Sequence, residues 1–130
     1  MPLINSIELE EINNELKKLE INHGLYGTAI INREGEMLSS RLNGEIDDIK
    51  VLGIKLMNII KAFEAIFLRW LKKDKLFHVT IQFENVQVIL FEINENYFLA
   101  ALLRIENVDF GLILIEMEIL IEKLKNILLG

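Results

Sequence analysis

Residues Asp47–Lys73 read DDIKVLGIKLMNIIKAFEAIFLRWLKK, and they decide the fold. No proline interrupts them, and their apolar residues recur at steps of three and four, so one long helix is expected here. Wound at about 100° per residue, Ile49, Leu52, Leu56, Ile59, Ile60, Phe63, Phe67 and Trp70 fall in one arc, wide enough to lie on a sheet. Roughly opposite, Ile54, Met57, Ala65 and Leu68, with Lys61 among them, follow the spacing of a helix–helix seam. A third strip, Val51, Lys55, Asn58, Ala62 and Arg69, is left for solvent or a partner. A buried helix with a few solvated lysines would account for the first arc. The second row favours a helix that is also an interface.

Charge sets the same stretch apart. Residues 50–75 carry seven basic side chains against two acidic ones, a local charge of +5. The segments before and after it carry −6 and −5, and the whole chain is −6. An acidic protein has gathered its positive charge on one helix. The overall acidity argues against nucleic acid as the main partner.

Outward from the helix, 130 residues fit one domain spanning the chain, and 52% hydrophobic content excludes disorder. The absence of cysteine removes disulfide and thiol chemistry and suits a reducing, cytoplasmic setting. Met1–Leu3 runs straight into an acidic amphipathic segment, so no signal peptide is expected. No window approaches the roughly 18 uncharged apolar residues of a membrane span, so no membrane insertion is expected.

A first helix should start at Asn5, with Glu8 as its capping-box partner, and end at Asn22-His23-Gly24. Two strands follow, 25–32 and 36–42, joined by Arg33-Glu34-Gly35, where the glycine can take a positive φ. The first is apolar on both faces and reads as interior, whereas the second is polar and reads as an edge. After the long helix, residues 76–83 alternate Phe77, Val79, Ile81 and Phe83 with His78, Thr80 and Gln82, an amphipathic strand. Strands 86–93 and 97–105 are apolar on both faces. Asp109 can cap a last helix over 110–129, whose side patch of Leu112, Ile115 and Ile119 is available to receive the first helix. The class is therefore α+β, in the order α-β-β-α-β-β-β-α. An antiparallel sheet ordered 2-1-5-4-3 puts the doubly apolar strands inside. The first and third helices share one face and the long helix takes the other.

The third strand, at an edge, has no proline or lysine to protect it, so it should pair with a second copy through Leu76, His78, Thr80 and Gln82. Together with the seam of Ile54, Met57, Lys61, Ala65 and Leu68, this predicts a homodimer, with Lys61 close to Glu64 of the other copy.

Catalytic patterns are missing. The glycines are isolated and no GxxxxGK[ST] occurs, so the chain should not bind nucleotide itself. His23 and His78 lack a second ligand at metal spacing, and Ser39 and Ser40 lack a neighbouring histidine. Glu116, Glu118 and Glu122 read as one solvated face. No enzyme activity, catalytic residue, metal or cofactor is expected.

GLYGTAIINREGEMLSSRL at 24–42, the long second helix, NYFLAALLRIEN at 96–107 and the closing amphipathic helix together resemble the roadblock/dynein-light-chain (roadblock/LC7) family, as a stand-alone member of prokaryotic type. The resemblance covers essentially the whole chain. It implies a profilin-like five-stranded sheet between helices. It also implies a dimer with paired third strands and antiparallel second helices. Its implied role is a non-enzymatic regulator or scaffold of a small Ras-like GTPase, such as an activator, with the partner docked on Val51, Lys55, Asn58, Ala62 and Arg69. The alternative is an adaptor subunit of a motor or membrane scaffold, paired with another roadblock-domain chain.

Overall fold

The computed structural model describes residues 5–42, 49–67, 69–70, 76–106 and 108–128. Along the chain these form α1 (Ser6–His23), β1 (Gly27–Asn32), β2 (Met37–Leu42), α2 (Ile49–Phe67), β3 (His78–Gln82), β4 (Val86–Glu92), β5 (Tyr97–Arg104) and α3 (Phe110–Ile127). The five strands make one antiparallel sheet in the order β2-β1-β5-β4-β3.

At several element ends, local chemistry acts where the sequence put it. The Asn5 side chain accepts from the Glu8 N–H and the Glu8 carboxylate accepts from the Asn5 N–H, closing the capping box. Gly24 ends α1 in the left-handed region at φ 61°. In the β1–β2 turn, Asn32 Oδ1 accepts from the N–H groups of Glu34 and Glu36, and Gly35 takes φ 89°. The Phe83 N–H donates to the Val86 carbonyl, so Glu84-Asn85 closes a tight turn without glycine. Asp109 accepts from the Leu112 N–H and caps α3.

Because side chains alternate across a strand, the interior strands feed two cores. On one face, Ile30, Ile89, Phe91, Leu99 and Leu103 pack with Ile12 and Leu16 of α1 and Ile113, Met117 and Leu124 of α3. On the other, Ile31, Leu90, Phe98 and Leu102 pack with Leu56, Met57 and Ile60 of α2. Among the described residues, three polar side chains are buried, and all three are bonded. Thr28 donates to Glu20, Asn32 donates to Glu36, and Ser39 donates to Asn13. Two of these bonds lash α1 over β1 and β2.

Helices α1 and α3 run antiparallel, because Lys123 meets Glu15 at 3.5 Å and Glu116 meets His23 at 2.5 Å. The second pair corrects one expectation, that Glu116 shares a solvated face with Glu118 and Glu122. His23 belongs to the last turn of α1 with a buried side chain, and Glu116 turns toward it, leaving Glu118 and Glu122 as the exposed pair. The patch Leu112, Ile115 and Ile119 does not receive α1. It stays exposed, and α1 meets α3 through Glu116 and Lys123 instead.

Strand β3 is also shorter than expected. Val79 and Ile81 are half-buried on the α2 side, while Phe77 and Phe83 lie outside the strand and are exposed.

Candidate partner-docking surface

The site is built on α2, and a glycine contact sets how that helix lies. A Cβ on Gly53 would meet the Gly35 carbonyl oxygen at 2.2 Å, so the helix backbone touches the β1–β2 turn there. Next to this contact, Leu56, Met57 and Ile60 point into the sheet. One helical turn on, Glu64 is held inward by Arg33, whose Nη1 and Nη2 reach its two carboxylate oxygens at 2.7 and 3.2 Å. Arg33 also stacks 5.1 Å from the ring centre of Phe98, and Glu92 approaches it at 3.9 Å. Donating to the Glu64 carboxylate raises the already high pKa of Arg33 against the opposing effect of burial, so the guanidinium stays charged.

These contacts turn α2 away from the expected arc. Met57, expected in the seam, is 1% exposed and belongs to the core. Glu64, expected beside a partner's Lys61, is engaged within its own chain. Phe63, Phe67 and Trp70, expected against the sheet, face outward, Trp70 at 76% exposure. Glu64 among the inward positions is the cause: a pattern of apolar residues alone does not count it, and its pairing with Arg33 swings the aromatic positions out. The described helix ends at Phe67, where the Trp70 N–H donates to the Phe67 carbonyl in a tight turn. Leu68 and residues 71–75, expected to continue it, lie outside the described residues, as do the expected first residues Asp47 and Asp48.

The outer face carries two features side by side. Val51, Lys55, Asn58, Ala62 and Arg69 are all exposed, as are Ile54, Lys61 and Ala65 of the expected seam. Beside them runs an aromatic ridge that the sequence reading missed. Phe63 and Phe67 have ring centres 5.9 Å apart, and Trp70 meets Phe67 edge-on at 6.2 Å, with Ile66 exposed alongside. The spacing of four and then three residues was visible in the sequence, but the inward claim of Glu64 was not.

One edge of the sheet lies at β3, the other at β2. Phe83 bonds to Val86, and Glu92 bonds to Phe77. Antiparallel alternation then directs Val79 and Ile81 toward β4 and leaves the main-chain groups of His78, Thr80 and Gln82 on the open edge. The side chains of those three residues are exposed, and Leu76 is half-buried.

Among the described residues, no group of three His, Asp or Glu side chains is placed to hold a metal, and no helix is long and apolar enough to cross a membrane. Ser39 and His23 are engaged with Asn13 and Glu116, not with each other.

No family model and no curated protein matches the sequence. Solved structures do match. One of MglB with a tetrameric arrangement superposes with a TM-score of 0.84 at 17% identity, covering 96% of this chain and 92% of that one. MglB from Myxococcus xanthus gives 0.81 at 12% identity, over 90% and 94%. A Roadblock/LC7 domain from Streptomyces avermitilis gives 0.78 at 13% identity, over 89% and 96%. At these identities the likeness concerns architecture, and the chain has the roadblock/LC7 fold of these MglB and Streptomyces proteins.

Proposed function

We propose that the protein is a non-enzymatic, cytoplasmic, homodimeric regulator or scaffold of a small Ras-like GTPase. The observation that carries this reading is the outer face of α2, where Lys55 and Lys61 are exposed, with Arg69 exposed just past its end, on a chain that is acidic elsewhere. The roadblock/LC7 fold and the resemblance of the sequence to that family support it. Two copies join along the β3 edges, through Leu76, His78, Thr80 and Gln82, and along α2, through Ile54, Lys61, Ala65 and Leu68. The basic strip Val51, Lys55, Asn58, Ala62 and Arg69 then steers an acidic partner, and the adjacent aromatic ridge gives it an apolar anchor.

With no catalytic group of its own, such a protein acts by holding the partner's switch loops in one conformation. It shifts a population by binding one state more tightly than the other. A second reading, an adaptor subunit pairing with another roadblock chain, is favoured by the tetrameric arrangement of MglB.

The test is capture of small GTPases on the immobilised chain, with and without a non-hydrolysable GTP analogue. Nucleotide-dependent retention of a Ras-like GTPase supports the regulator. Retention of roadblock-domain chains alone supports the adaptor.

A further inference from the structure

The face of the sheet away from α2 has an empty place for a helix. Helix α1 is bonded over β1 and β2 by Glu20 and Asn13, and α3 lies beside it. Helices in one layer pack about 8–10 Å apart, roughly the width of two strands. Two helices therefore cover four strands, and β3 is left bare. Its side chains on that face, His78, Thr80 and Gln82, are exposed, and the His78 ring lies 5.0 Å from Phe91 on the floor beneath.

At the end of this bare strand, between the Leu76-Phe77 segment that leads into β3, the β4–β5 turn and α3, runs a groove of about 880 Å3. Phe77 and Ile93 line one side, and Ile115 and Ile119 line the other, at 57% and 55% exposure. With Leu112, these isoleucines sit at i, i+3 and i+7, the row along which a second helix packs. The rim is acidic. Glu118 and Glu122 stand on α3 and Glu95 on the β4–β5 turn, with Lys125 as the basic liner, joined to Glu122 at 3.1 Å.

We propose that this groove takes an amphipathic helix of a partner protein, apolar along one face and lysine- or arginine-rich along its edges. The apolar face covers Ile115, Ile119 and Phe77, and the basic edges meet Glu118, Glu122 and Glu95. Lys55 and Lys61 are exposed on α2, which packs on the opposite face of the sheet, and Arg69 is exposed just past its end. A basic helix is therefore drawn to the groove and repelled from the α2 platform. The two surfaces are independent, so one chain can hold two partners at once.

The probe is a synthetic helical peptide of about 18 residues, roughly five turns. It carries leucines along one face and lysines at the edges, and its twin carries glutamates in place of the lysines. Titrated into the full chain, the lysine peptide should bind about tenfold more tightly than its twin. Glu118→Lys with Glu122→Lys should reverse that preference. Ile115→Ser with Ile119→Ser should weaken lysine-peptide binding about tenfold while leaving the melting temperature within a few degrees, since both side chains are exposed. Lys55→Glu with Arg69→Glu should leave peptide binding unchanged, which separates failure here from failure of the GTPase reading. Equal binding of the lysine peptide by the parent and the isoleucine variant would overturn the proposal. So would a change of oligomeric state on mutating the isoleucines, which would give the groove to a second copy.

Discussion

Arg33, in the turn between β1 and β2, and Glu64, on α2, clasp each other through two hydrogen bonds of 2.7 and 3.2 Å. They join the hairpin to the helix across 31 positions of sequence. Neither side chain is more than a third exposed, so the pair is partly shielded from water. It sets the rotation of α2 and therefore which residues reach solvent.

Removing Arg33 takes from the partly buried Glu64 carboxylate the cation that holds it, whereas removing Glu64 leaves Arg33 the more distant Glu92. Arg33→Ala should lower unfolding free energy by about 1–3 kcal/mol in urea titration, and Arg33→Ala with Glu64→Ala should cost less than the sum of the single changes. Additive single effects would mean the pair is only a crystal-like contact of surface charges.

Gly53→Ala should destabilise the fold by about 1–3 kcal/mol through overpacking against Gly35. On an open helix surface the same change stabilises by up to about 1 kcal/mol. The sign of the shift in melting temperature therefore reports the close approach of α2 to the turn.

Most of the architecture was legible because it depends on short-range chemistry. Asn5 with Glu8, Gly35 in its turn, and the doubly apolar runs of β1, β4 and β5 act through neighbours in sequence or through burial of a whole strand. The outer face of α2 was legible only in part. The strip from Val51 to Arg69 lies on the solvent side as read. Met57 and the ridge of Phe63, Phe67 and Trp70 were placed on the wrong sides, because Arg33 reaches Glu64 from a distant hairpin. In the same way Glu15 and Glu116 commit α3 to one flank of α1, and the apolar row Leu112, Ile115, Ile119 could not reveal which flank.

Core and interface positions on α2 should separate under mutation. Met57→Ala should cost about 2–4 kcal/mol of stability, as for a large side chain lost from a core. Ile54→Glu, at a position 48% exposed, should leave the monomer fold intact and weaken self-association in sedimentation velocity. A fully dimeric Ile54→Glu variant would remove this residue from the seam.

Thr80→Pro removes a main-chain donor from the open edge of β3 without touching the ladder to β4. The far-ultraviolet circular dichroism should stay that of the parent, and light scattering at micromolar concentration should fall from dimer to monomer. A parent that is monomeric under those conditions would rule out edge pairing.

The most direct measurement is the association rate of a Ras-like GTPase, loaded with a GTP analogue, with the parent and with the variant carrying Lys55→Glu and Arg69→Glu, across a salt series. The account predicts that the parent binds fast at low salt and more slowly as salt rises, with oppositely charged surfaces steering the encounter. It predicts that the variant remains dimeric but loses both the binding and most of the salt dependence. A variant that binds the GTPase as fast as the parent, with the same dependence on salt, would contradict it.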